Sequence, residues 1–152
     1  MIDLNLFFAL TSFYFVMYVT PGPNNAMVLT SGIKFGFSKT VPHMSGITIG
    51  HVLQVVIVCL GLGKLFQLVN PKAWTISSMV ASGFLPKDEN LITAIFFISI
   101  TALIICPISI SIWAAFGSGI RNLVKNDKKK AIVEYFLAIL LLITAILIVL
   151  EK

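Results

Sequence analysis

Long uncharged, apolar runs alternate along this chain with short breaks carrying charge, proline or asparagine. The charge-free runs are 4–33, 40–63, 73–86 and 90–120, and a further apolar run, 131–150, contains only Glu134. A helix rises about 1.5 Å per residue, so roughly 20 apolar residues cross a hydrocarbon core about 30 Å thick. Runs 40–63 and 131–150 each predict one span. Run 90–120 predicts one span with length to spare, kinked near Cys106-Pro107, because proline removes a backbone donor. Run 4–33 is too long for one straight helix. It predicts a span to about Val19, a break at 20–25, and a helix on to about Ile33. The segment 65–86 is short, since its charge-free part, 73–86, has 14 residues, which suits a broken or re-entrant segment better than a full crossing. The predicted fold is all-α: a polytopic integral membrane protein with about four full transmembrane helices plus that segment, forming a single membrane domain over 1–152.

Composition supports this class. The chain is 58% hydrophobic and 11% charged, with mean hydropathy +1.00, whereas a soluble domain carries about 25% charged residues. A core this apolar would leave no surface for water. The net charge of +5 is concentrated, with Arg121, Lys125, Lys128, Lys129 and Lys130 close together and only Asp127 opposing. Flanked by apolar spans, that cluster reads as a cytoplasmic anchor under the positive-inside rule rather than a nucleic-acid patch. Cys59 and Cys106 lack the spacing of a metal site or redox pair and read as small hydrophobes. Asp3 and the lack of a basic leading region argue against a cleavable signal peptide.

Two stretches break the apolar pattern with the same residue types. "YVTPGPNNAMVLTSG", 18–32, sets Pro21, Gly22, Pro23, Asn24 and Asn25 inside a charge-free run, and "VNPKAW", 69–74, repeats the device with Asn70, Pro71 and Lys72. A single proline kink is satisfied by neighbouring helices. Paired interruptions in different parts of a hydrophobic chain are the pattern of discontinuous transporter helices, which present backbone groups and helix ends to a solute. Within 40–63, His43, Gly46, Gly50, Gln54 and Gly61 share one face at 100° per residue. The glycines read as a close-packing stripe. Gln54 needs a partner on another helix or a water-lined path. His51 lies beside the stripe, and is either a proton-coupling candidate or a hydrogen-bonded packing residue.

"TPGPNNAMVLTSGIKFGF" with "SGITIGHVL", "QLVNPKAWTISSMVASGFLP" and "SISIWAAFGSGIRNLVKN" together resemble the lysine exporter and threonine/homoserine exporter family of bacterial amino-acid efflux proteins. The chain is similar to the branch that exports cysteine and O-acetylserine. In this resemblance 1–64 corresponds to the first half of the exporter fold and 65–152 to the second, while the family's third helix and central linker are missing between "GLGKLF" and "QLVNPK". Charge counting gives an independent sign. If 40–63, 65–86 and 90–120 all cross, an odd number of crossings separates two basic loops that should share the cytoplasmic side. A lost helix, or a re-entrant path for 65–86, restores the parity.

The resemblance implies an amino-acid or amino-acid-derivative efflux transporter, multi-pass in the bacterial inner membrane and here shortened. A homodimer is expected on a separate ground, because a re-entrant backbone at membrane depth needs burial in protein. Its expected partners are a small amino-acid-like solute and the lipid bilayer, with no nucleic acid, cofactor or metal. Asn24, Asn25 and Asn70 would supply amide contacts, and the helix after Pro23 would offer N–H groups to a carboxylate. Lys72 would add positive charge there, or snorkel at the interface. Glu134, close to the basic loop, reads as structural. The alternative is a non-transporting truncated remnant, or a partner of a full-length relative. A membrane enzyme is disfavoured: neither H-E-x-x-H nor G-x-S-x-G occurs in the sequence.

Overall fold

A computed structural model describes residues 2–62, 71–87, 89–123 and, beyond these, 131, 132, 135, 136, 138, 139 and 142. The expectations for Asn70, the lysines of 125–130, Glu134 and most of run 131–150 therefore lie outside the described residues. Among those described the chain is all-helical, with five helices in order: α1 (Leu4–Val19), α2 (Pro23–Phe35), α3 (Phe37–Cys59), α4 (Pro71–Gly83) and α5 (Leu91–Leu123).

Local chemistry sets most of these boundaries. Asp3 caps α1, its carboxylate accepting from the Leu6 N–H at 2.8 Å. Thr20 closes the helix by donating its backbone N–H to the Val16 carbonyl at 3.0 Å, and its ψ of 135° is the extended value forced on a residue before proline. Pro23 opens α2 at the position where a missing N–H costs nothing. The break is thus only Thr20–Gly22, narrower than the predicted 20–25, and Pro23, Asn24 and Asn25 form the first turn of α2. That helix ends at Gly36, whose φ of +84° suits glycine. Pro71 repeats the proline start in α4, and α5 runs helical through Pro107.

Among the described residues two helices are long and apolar enough to cross a membrane, Phe37–Cys59 and Leu91–Arg121, and the broken pair α1 and α2 makes a third if counted as one span. α4, with 13 residues, spans about 20 Å and falls short of the hydrocarbon thickness. Phe8, Val16, Ile49, Leu53, Ile92, Phe96, Ile104 and Ile108 are exposed, a surface that lipid rather than water accommodates.

The helices form two compact units, Met1–Thr20 with Ser45–Ser109, and Pro21–Met44 with Ile110–Lys152. In the first, α1 packs on α4, and the core gathers Leu10 and Tyr14 of α1, Val55 of α3, Val80 of α4, and Ile98 and Ala102 of α5, all with no exposed surface. In the second, α2 and the end of α5 touch backbone to backbone. A Cβ on Gly32 would stand 2.6 Å from the Ala114 carbonyl oxygen, and one on Gly117 would collide with the Leu29 carbonyl oxygen. Leu29 and Ile33 fill the seam with Trp113 and Ile120. Thr40 pins the following turn, donating to the Gly36 carbonyl at 2.8 Å.

The glycines of the α3 stripe turn outward instead of packing, whereas Gln54 on the same stripe reaches α4. Gly46 and Gly50 are exposed and have nothing within 4 Å of an added Cβ, while Thr48, His51, Val55 and Cys59 form the buried face in the first unit. Gly117→Ala should therefore lower the thermal stability of the detergent-solubilised protein by about 1–3 kcal/mol, since backbone atoms must give way. Gly46→Ala meets no atom of its own chain and should leave the fold of the single chain unchanged. Equal unfolding temperatures for Gly117→Ala and the parent would show that the seam is not tight.

Candidate functional site

In the first unit, polar side chains converge on the start of α4. With its amide oxygen turned toward α4, Gln54 of α3 accepts from both the backbone N–H and the indole N–H of Trp74, each at 3.1 Å. It thus serves an amide in the first helical turn, where acceptors within the helix are scarce. Lys72, one residue after the proline start, donates its ammonium to the carbonyl of Thr20, the cap of α1. A cation at that point meets the negative end of the α1 dipole. One helix start is thereby tied to the end of α1 and to the flank of α3.

Further along α3, His51 lies on the buried face at 5% exposure. Its ring stands edge-on to two tyrosines of α1, with centroids 5.2 Å from Tyr18 and 6.4 Å from Tyr14. The tyrosines themselves stack, 5.1 Å apart and 9° from parallel. Their spacing of four residues puts them on one face with Leu10. Thr48, a turn before His51, donates to the Cys106 thiol of α5 at 3.6 Å.

The second unit holds the other interruption. Gly22 caps α2 without a side chain to offer. Asn25 is buried at 4% exposure, Gly22, Pro23 and Asn24 are half-buried, and Pro21 is exposed. This unit also has an open pocket of about 330 Å³ bordered by Met27, Thr30, Ser31, Lys34 and His43. None of the residues proposed from sequence lines it.

The structure thus brings Gln54, Lys72 and the Pro71 helix start together, places His51 among tyrosines, and groups Pro21 to Asn25 around the start of α2. Asn70 lies outside the described residues. Sequence reasoning missed Tyr14, Tyr18 and Trp74. The signal was available for the tyrosines, as two hydroxyl-bearing rings four residues apart in a charge-free span. Trp74 offered none, because its role depends on which helix approaches it.

Comparison with known proteins bears on what this arrangement does. Residues 15–69 match the model of the LysE type translocator family. The match covers the break before α2, His51 and Gln54, and the family is one of transporters rather than enzymes. The chain is similar to the cysteine/O-acetylserine efflux proteins of Escherichia coli strain K12, Escherichia coli O1:K1 and Shigella flexneri serotype 5b, each 25% identical over 77 residues. That segment is 51% of this chain and 39% of each relative, so the chain spans well under half of the proteins it matches. No solved structure matches the chain.

The tether at α4 has a measurable consequence. Gln54→Leu leaves two N–H donors of Trp74 without their acceptor, a loss of about 1–3 kcal/mol. Lys72→Met keeps the apolar stem and loses the charge at the α1 end, a smaller cost of about 0.3–2 kcal/mol. Thermal unfolding in detergent should place both below the parent, with Gln54→Leu lower. A Gln54→Leu protein as stable as the parent would dismiss the tether.

Proposed function

We propose that this chain acts in the efflux of an amino acid or close derivative, as a multi-pass protein of the bacterial inner membrane. The family match over 15–69 carries the reading, because it falls on the segment where an apolar span is broken by Pro21, Gly22 and Pro23 and resumes with two asparagines. Cysteine and O-acetylserine are the solutes named for the similar proteins and are the first to test. Both are small zwitterions. A helix start presents partial positive charge to a carboxylate, and the amides of Asn24 and Asn25 both donate and accept, so the first turn of α2 suits the two ends of such a solute. Pro71 at the start of α4 supplies a second helix start of the same kind, beside Lys72 and Gln54. A pair of copies is the proposed assembly, supported by the open Gly46 and Gly50 positions on α3, where a second backbone can approach.

The test is export of labelled O-acetylserine or cysteine from cells producing the chain, against cells without it. Asn24→Leu should abolish export while the amount of membrane-inserted protein holds, because an apolar side chain removes the amide without disturbing the helix. Normal export by Asn24→Leu would reject the assignment of the α2 start, and identical export from both kinds of cell would reject efflux.

A further inference from the structure

Within the first unit, α1, α3, α4 and α5 contain no aspartate or glutamate. His51 is the buried side chain there whose unperturbed titration falls near neutral pH. It is held unusually for such a residue. Among the described residues its Nε2 and the Tyr14 hydroxyl are both buried without a hydrogen-bond partner. Its ring neighbours are Tyr14 and Tyr18 on α1. On its own helix Thr48, a turn earlier, meets the Cys106 thiol of α5 and Cys59 lies two turns later, while Lys72 of the same unit has its ammonium bound to the Thr20 carbonyl. None supplies a negative counter-charge in its ordinary protonation state.

We propose that His51, Tyr14 and Tyr18 form a buried protonation site whose charging loosens the packing of α1 on α3. The ligand is the proton. It binds the free Nε2 lone pair of the neutral ring, and the imidazolium that results has aromatic rings beside it but no carboxylate. Ring faces offset part of a cation's lost hydration. An unpaired buried charge is still strongly unfavourable, so the protonated site gains by letting water in. The packed form thus carries the neutral ring, the loosened form carries an ordinary histidine, and falling pH favours the loosened form. The site stands independently of the efflux reading, and its readout involves no transport.

Two native thiols report on this unit. Cys59 and Cys106 are free and buried, at 9% and 1% exposure. The purified full chain in nanodiscs is treated with 4,4′-dithiodipyridine, a disulfide that reacts with thiols in acid as well as at neutral pH. Between pH 7.5 and 5 the rate, divided by that of a free thiol under the same conditions, should rise on the order of thirtyfold, as expected where only the loosened form binds a proton with a pKa near 6.5. His51→Gln should abolish the rise, and His43→Gln should keep it. Should His51→Gln fold poorly, the His43→Gln protein, in which His51 is the sole histidine of the chain, settles the matter by imidazole nitrogen resonance. Its ring must take up a proton over the same pH interval in which the thiols open. A flat parent profile, a rise that survives in His51→Gln, or thiols that open while the His51 ring stays neutral would overturn the proposal.

Discussion

In a chain this apolar, any backbone group released by a broken helix must find its partner inside the protein. The break at Thr20–Gly22 creates that demand. α1 cannot continue through Pro21, so its last carbonyls lose their helical donors. Thr20 returns its own N–H and hydroxyl to the Val16 carbonyl, and the Thr20 carbonyl receives the ammonium of Lys72. A lysine is suited to this place because its long stem crosses apolar surface while its head carries three donors. The charge that ends one helix therefore also fixes the start of another, and α4, too short to hold its position by spanning, is located by it.

The same demand orients α3. Gln54 must face Trp74 to satisfy two N–H donors, and His51, three residues earlier, is then carried toward the interior of the first unit. Tyr14 and Tyr18 meet it from α1, and the outward side of α3 is left to Ile49, Leu53 and the glycines. Polar contacts decide the rotation of this helix because both of its sides are apolar, so burial of hydrophobic surface alone prefers neither strongly. In the second unit the seam is different in kind. There Gly32 and Gly117 remove side chains so that α2 and α5 meet at their backbones, and dispersion contact replaces hydrogen bonding as the organising force.

The membrane class, the helix content and the end of α1 at Val19 were legible in the sequence, because run length and proline position act locally. So was the need of Gln54 for a partner. The inward face of α3 was not. In lipid the outer face of a helix is as apolar as the inner one, so the 3.6-residue period that reveals a buried face in water loses its contrast. The glycine stripe suggested close packing, yet glycine signals only permission to approach, and no described helix takes it up at Gly46 and Gly50. The break also proved shorter than its composition suggested, since Pro23 is a favourable first helical residue and Asn24 and Asn25 follow it into the turn. For Lys72 the sequence left solute contact and interfacial snorkelling open, and the structure supplies a third role, closing α1.

The account rests on α4 being held to α1 and α3 by these polar contacts, and hydrogen exchange reads that dependence most directly. In the parent, the Trp74 backbone and indole N–H groups should exchange slowly and together with the last turn of α1. In Gln54→Leu both Trp74 signals should exchange faster while the amides of α5 keep their protection. Unchanged protection of Trp74 in that variant, or rapid exchange of α4 in the parent while α1 stays protected, would contradict it.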